Sequence, residues 1–358
     1  MRPRERVLKA LRHEEPDRPP IHATVTPQVG EALNQALGIE DEGLVDAFFA
    51  NRISYTPALL KLGNDCVGVG ACTAPGFIHR QHPDGSTTDE WGITTRETDL
   101  YNEMVAHPLA EIENVKDLEH YPFPDPLAAG RFDWAEETVK TYGEDYALVG
   151  EQECTIFELS WYLVGLEKFL LDMALGNAYV FELLDRVMEF SLQQAARLID
   201  LGVDIILFGD DMGDQNGMMI SPAMWRSIFK PRMLHIFQTV KKLNPDIQIA
   251  YHSCGSILPI IPDLIEIGLD ILNPLQPLAA GMDAKYLKST YGEKLSFYGA
   301  IDIQNLLPRG SPREIKKTVK DKIAILGRGG GYIVAPAHNI QPDTPLENIF
   351  AFFEAARE

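Results

Sequence analysis

The chain has 358 residues, 45% of them hydrophobic and 23% charged, an ordinary balance for a globular protein with a sizeable core. Length alone allows two domains or one large α/β barrel. With 52 acidic residues against 32 basic ones the formal net charge is −20, a surface that repels nucleic acid and anionic membrane and excludes both as expected partners. No run of about 18 apolar residues offers a membrane span. The four cysteines, Cys66, Cys72, Cys154 and Cys254, are scattered, which suits a reducing cytoplasm and thiols that are buried, catalytic or metal-bound.

The opening stretch, "MRPRERVLKALRHEEPDRPP", lacks the apolar centre of a signal peptide and reads as a first helix. A strand is expected over Pro19–Thr24, then helices that include the run from Glu42 to Leu62, then a second strand over Asp65–Gly70. From Thr73 to Leu127 the rhythm breaks. Within it "HRQHPDGSTTDEWGITT" sets Asp84-Gly85 between β-prone flanks, which reads as a hairpin. Following the second strand, this insertion (residues 73–127) is expected over the barrel mouth as a partial lid. A surface decoration is the plainer alternative.

Beyond it, apolar β-branched runs at Tyr146–Gly150, Asp204–Phe208, Ile247–Tyr251, Asp270–Asn273, Leu295–Tyr298 and Gly331–Ala335 alternate with helical patterns. The latter include Phe157–Leu175, Tyr179–Leu201, Pro222–Leu243, Ile257–Ile267 and Pro312–Leu326. Such alternation demands a parallel sheet covered by helices. "LIDLGVDIILFGD" and "LIEIGLDILNPLQ" echo one another, each a helix end, a glycine suited to a left-handed cap, and a buried strand. Eight strand–helix units, with no glycine-rich nucleotide fingerprint after the first strand, favour a (β/α)8 TIM barrel over an open sheet. The expected organisation is one barrel domain over 1–358, with an N-terminal helical extension and the lid insertion.

Chemistry in such a barrel sits at the C-terminal ends of the strands. There the sequence places Glu151 and Glu153, Asp210 and Asp211, His252 and Cys254, Asn273 and Gln276, Asp302 and Gln304, and His338, Asn339 and Gln341. Asp210, Glu151 and Asp211 are the candidate catalytic acids. Asn273, Gln276, Asp302, Gln304, Asn339 and Gln341 are the candidate substrate contacts. His252 and Cys254 are the sharpest pair, because residues i and i+2 of a strand point to one side and can meet one ion. By chance, nine His and four Cys would produce one His-x-Cys about a tenth of the time, so a core histidine beside a buried cysteine stays open. Barrel closure brings His338 back toward the pair as a third metal ligand, with Asp210 and Glu151 as candidate oxygen ligands. A Cys254 nucleophile activated by His252 is the competing chemistry. Two adjacent buried carboxylates repel, so at most one of Asp210 and Asp211 is expected to face the ion.

Several segments together carry a resemblance: "RVLKALRHEEPDRPP", "LGVDIILFGDDMG", "ISPAMWRSIFKPRM", "HSCGSI", "GLDILNPLQP", "FYGAIDIQNLLP" and "GGYIVAPAHNIQPDTPLENI". Over nearly its whole length the chain resembles the uroporphyrinogen decarboxylase superfamily. The resemblance implies a (β/α)8 barrel that is either a tetrapyrrole decarboxylase or a zinc-dependent, corrinoid-linked methyltransferase. The decarboxylases carry an arginine-rich loop after the first strand. Here that place reads "HATVTPQVGEA", without an arginine between Arg18 and Arg52, and a substrate rich in carboxylates has nothing to grip it. The methyltransferases carry His-x-Cys, matched by His252 and Cys254, and a second cysteine whose place His338 takes.

The resemblance therefore implies zinc, and a corrinoid (cobalamin) carried by a separate corrinoid protein, since the chain has no D-x-H-x-x-G loop of its own. The expected reaction moves methyl between a small methylated substrate and cobalt, preferably from a methoxylated compound in the O-demethylase direction. Fewer thiolates leave the ion more electrophilic and suit an ether oxygen. A metal-dependent lyase or decarboxylase on a small acid, and a non-catalytic barrel that binds a tetrapyrrole or corrinoid, are the alternatives. The oligomeric state is open, a homodimer included.

Overall fold

The structure, a computed structural model, describes residues 1–40, 43–48, 50–98 and 102–358. Its strands are β1 (Cys66–Val69), β2 (Arg80–Gln81), β3 (Thr87–Thr88), β4 (Thr94–Glu97), β5 (Asn102–Ala106), β6 (Ala147–Glu153), β7 (Ile205–Gly209), β8 (Gln248–His252), β9 (Ile271–Leu275), β10 (Ser296–Ile301) and β11 (Tyr332–Pro336). Seven of them form a parallel sheet in the order β1-β6-β7-β8-β9-β10-β11. Each is buried along most or all of its length, as strands covered on both faces must be. This is the curled sheet of a TIM barrel.

The expected first strand differs. Between β11 and β1 the chain makes only isolated bridges, Ile21 to Val334 and Val25 to Ile340. On the β11 side, Val334 N donates to Pro20 O at 2.8 Å and His22 N to Val334 O at 3.1 Å. On the β1 side, side chains replace much of the ladder: Ala23 N donates to Asn64 Oδ1 at 2.9 Å and Ile21 N to Asp65 Oδ2 at 2.8 Å. Backbone groups are satisfied without a regular strand, and the barrel still closes. Asp65, 1% exposed, also pairs with Arg6 Nη1 at 2.6 Å and Arg18 Nη1 at 2.7 Å.

The helix Pro3–Leu11 sends Val7 and Leu11 against the barrel interior, where they pack with Cys66, Val149, Leu207, Ala250 and Ile333. The expected helical extension thus plugs the floor.

Other boundaries shift for local reasons. The helix expected over Phe157–Leu175 is two, Phe157–Val164 and Leu166–Leu175, parted at Gly165 with φ 94°. Ile257–Ile267 begins as a 3-10 turn at Leu258–Ile260. The run expected from Glu42 gives the helices Ala50–Ile53 and Thr56–Leu62, while Glu42 lies outside the described residues. Strand β6 continues past Gly150 to Glu153, so both glutamates belong to the sheet.

Strands β2 to β5 form the separate antiparallel sheet of the insertion. Its first hairpin turns at Asp84-Gly85, with Gly85 at φ 83°. His79, Gln81, Thr87 and Thr95 of this insertion face Thr26, Arg52, His338 and Gln341 of the barrel across a cleft of about 870 Å³, so the insertion lies over the mouth as a lid.

Removing the Asp65 carboxylate would leave Arg18 and the Ile21 amide without that partner at the closure, while Arg6 keeps Asp17. Asp65→Ala should therefore cost roughly 3–5 kcal/mol of stability, read as a lowered urea midpoint. A loss below about 1 kcal/mol would mean that water solvates this seam.

Candidate metal centre

Strand register sets the height of the site. Glu153, Gly209, His252 and Asn273 pair in turn across four neighbouring strands, at the end where barrel enzymes place their chemistry. Gly209 keeps the space beside the imidazole open, since a Cβ there would stand 2.7 Å from His252 Cβ.

A second glycine admits the cation. A Cβ on Gly68 would lie 2.2 Å from the carbonyl oxygen of Arg52, so only glycine lets the short helix Ala50–Ile53 press onto β1. Arg52 enters the barrel at 7% exposure, where its Nε donates to Glu153 Oε2. Burial pushes the Glu153 carboxyl up, but Arg52 and His252 outweigh it and hold it down at about 2.

The Nδ1 of His252 stands 2.6 Å from Asn273 Oδ1 and 2.9 Å from Glu153 Oε1. These two neighbours are acceptors and the Arg52 Nη2 donor stands farther off at 3.4 Å, so the ring hydrogen belongs on Nδ1 and the lone pair on Nε2. Nε2 faces Cys254 Sγ at 3.5 Å and Asp211 Oδ1 at 3.5 Å. His338 arrives from the end of β11, its ring centroid 5.8 Å from that of His252. Its Nδ1 is buried without a hydrogen-bond partner. Burial, then Arg52 and His252, lower its pKa to about 4, so the ring is neutral.

Ligand atoms of His252, Cys254 and His338 all lie within 4.8 Å of one another. A tetrahedral zinc site has ligand–ligand edges of about 3.3–3.8 Å, so the 3.5 Å pair already fits and the widest separation needs to close by about an ångström. Two imidazoles and one thiol, once they have shed the protons that compete with the ion, are a donor set that zinc accepts. The orphaned Nδ1 of His338 is further reason to place an ion here.

The thiol bears on the rival chemistry. Burial, then Asp211 and Glu153, push the Cys254 thiol well above its ordinary range. Such a thiol is a poor nucleophile on its own, whereas a bound cation would favour the thiolate.

The two adjacent aspartates divide. Asp210, 1% exposed, accepts from Glu158 N at 2.8 Å and Ile156 N at 3.1 Å, at the start of the helix Phe157–Val164. Burial nevertheless pushes its carboxyl up to about 8. Asp211 accepts from Cys254 N at 2.7 Å and faces the cluster.

Glu151 is 2% exposed, and neither of its carboxyl oxygens has a hydrogen-bond partner. Burial pushes it up to about 8 against the pull of Arg52, with Glu153 adding to the rise. It lines a cavity between barrel and lid together with Trp91, Phe48 and Phe190.

The amides also separate. Asn273 holds His252, and Gln276 Oε1 accepts from Gly255 N at 2.5 Å, fixing the turn after Cys254. Asn339 and Gln341 line the cleft, where Asn339 Oδ1 accepts from Thr24 Oγ1 at 2.5 Å. Asp302 accepts from Asn305 N and Leu306 N, and Gln304 is exposed. Neither of these two lines the cleft or the cavity.

Sequence reasoning missed Arg52, the role of Glu153, and Glu158, whose Oε2 accepts from Asp211 N at 3.0 Å. The i, i+2 spacing of Glu151 and Glu153 was the available signal.

Among the described residues no helix is long and apolar enough to cross a membrane. Residues 101–358 match the family model described as uroporphyrinogen decarboxylase (URO-D). A methylcobamide:CoM methyltransferase of Methanosarcina barkeri is 26% identical over 217 residues, which cover 60% of this chain and 59% of that protein. A uroporphyrinogen decarboxylase of Nostoc punctiforme is 25% identical over 188 residues, 52% of this chain and 50% of that one. The matched region thus spans between 50% and 59% of these curated relatives. Among solved structures, a methyltransferase from Methanosarcina mazei has the same fold, with a TM-score of 0.71 at 23% identity over 100% of this chain and 98% of that one.

His252→Ala or Cys254→Ala should abolish stoichiometric zinc uptake while leaving a folded barrel. Glu153→Gln should weaken it by about 10- to 100-fold, as read by chelator competition. Zinc affinity should fall as pH is lowered, because the thiol and imidazoles must shed protons to bind. Full zinc affinity in Cys254→Ala would remove the thiol from the ligand set. Asp211→Asn should lower metal affinity and Asp210→Asn thermal stability; equal, small losses would mark a solvated acidic loop.

Proposed function

The chain belongs to the uroporphyrinogen decarboxylase family, and we propose that it is a zinc-dependent methyltransferase moving methyl between a small methylated substrate and the cobalt of a separate corrinoid protein. The observation that carries this reading is the His252–Cys254–His338 cluster at a lidded mouth. The methylcobamide:CoM methyltransferase relative supports it. The tetrapyrrole decarboxylase alternative is disfavoured, because Arg52 is spent on Glu153 and offers no free grip for propionates.

His252, Cys254 and His338 would hold the ion. When bound it would supply a Lewis acid to a substrate oxygen, which suits a methoxylated substrate and the O-demethylase direction. Methyl departure to cobalt leaves an oxygen that needs a proton. Glu151 is our choice of donor, since it is buried and unpaired. Asp211 steadies the Cys254 backbone, Asp210 braces the helix behind it, and Asn273 and Gln276 hold the ligand-bearing segments. Asn339 and Gln341 are the amides we assign to substrate, with Asp302 and Gln304 serving the outer rim. The lid and barrel then form one domain on which the partner docks over the cleft.

Adding the reduced corrinoid protein and a methyl ether should yield the methylated partner and the free hydroxyl compound in equal amounts, followed by absorbance and chromatography. His252→Ala should abolish both products, and Glu151→Gln should slow the reaction by about 10²-fold or more. No methylated partner from a panel of ethers, alcohols and amines, together with no thioether from the methylated partner and thiols, would sink the reading and move the small-acid lyase to first place.

A further inference from the structure

The cavity beside the cluster is small, about 40 Å³, room for a methyl or hydroxyl group rather than a whole ring, and it opens to solvent. Three of its lining side chains are carboxyl groups, Glu90, Glu151 and Glu153. One is a guanidinium, Arg131, and it is committed: Nη1 and Nη2 donate to the two Glu90 oxygens at 2.7 Å and 2.8 Å. Arg52, on the adjoining cleft, is committed to Glu153. His79, also on the cleft, stands 2.9 Å from Asp46 Oδ1. Among the described residues, each arginine lining these spaces thus already carries its counter-charge. The unmatched group is Glu151, 2% exposed with both oxygens unpartnered. Arg131 Nε is likewise buried without a partner, one donor left over on a guanidinium whose charge Glu90 already matches.

From this charge inventory we propose that the substrate part entering the cavity carries no negative charge, and that Glu151 enforces this by meeting it with a buried, unpaired carboxyl. The inference rests on the methyltransferase reading for calling the ligand a substrate. An anion there would have to shed its water with no uncommitted cation to receive it. Arg131 and Arg52 are matched by Glu90 and Glu153, and Glu151 as an acid offers a hydrogen bond but no charge. A neutral hydroxyl or ether oxygen instead satisfies the Glu151 carboxyl, and Trp91, Phe48 and Phe190 cover a methyl group. Without a partner Glu151 would leave two buried oxygens unbonded, a cost that a neutral donor–acceptor ligand removes.

The test is direct binding to the whole purified protein, without corrinoid partner, of two matched probes: 2-methoxyphenol and 4-hydroxy-3-methoxybenzoate. They differ by one carboxylate. Calorimetry should find the neutral probe at least about tenfold tighter, and the gap should persist at 0.5 M salt, about where long-range surface repulsion is screened. Glu151→Leu should weaken the neutral probe several-fold. Glu90→Gln, which frees Arg131, should narrow the gap by raising affinity for the anion. Equal or tighter binding of the benzoate to the unmutated protein, or no binding of 2-methoxyphenol at millimolar concentration, overturns the proposal even if a variant fails to fold. Efficient methyl transfer from an anionic ether would overturn it while sustaining the methyltransferase reading. A clear neutral preference without any methyl transfer would do the reverse.

Discussion

A guanidinium closed inside the barrel governs the mouth. Taking Arg52 and Glu153 out of water costs several kcal/mol per ion in proteins of this kind, and only close pairing offsets it. The pairing is bought with geometry: glycine at 68 so that the helix can approach, and glycine at 209 so that His252 can stand beside the carboxylate. Burial alone would protonate Glu153, yet Arg52 and His252 keep it ionised. That charge, with Asn273, orients the His252 ring and leaves Nε2 toward the cluster. Removing either ion would leave the other buried and unpaired, a larger disturbance than losing the pair together.

The mouth is otherwise short of positive charge. Glu151, Glu158 and Asp210 are all pushed upward, burial first, and Arg52 offsets this only in part at Glu151. The Cys254 thiol is pushed the same way. A divalent ion among His252, Cys254 and His338, as proposed, would reverse the thiol's preference. The acid-rich surroundings thus agree with the donor set.

Periodicity made the barrel legible. Buried β-branched runs at 205–209, 248–252 and 332–336 stand within a residue or two of where pattern places them, since strands covered on both faces leave little alternative. The strand through Ile21 shows the limit: Asn64 and Asp65 side chains replace backbone partners, and no periodicity encodes that. At the site, His252, Cys254 and His338 were readable from strand-end position. Arg52 was not, because its role follows from the missing Cβ of Gly68, a contact between elements rather than a local pattern. Asp302, read from the sequence as a substrate contact, accepts from the backbone of Gln304, Asn305 and Leu306 in the turn after β10, a bracing use that strand-end position alone does not distinguish.

The seam where the barrel closes has a kinetic meaning. Ile21 meets Val334, and Thr24 reaches Asn339 across a separation of 315 residues. During synthesis the first segment therefore waits for about 315 further residues before its lateral partner exists, and closure over this separation makes the step slow. His338 lies just beyond that seam. The two-residue pair at 252 and 254 can form with its half of the sheet, but the third donor comes into place only when the ring shuts. For the ligand set proposed above, a nascent chain would then present at most two of the three donors until the ring shuts.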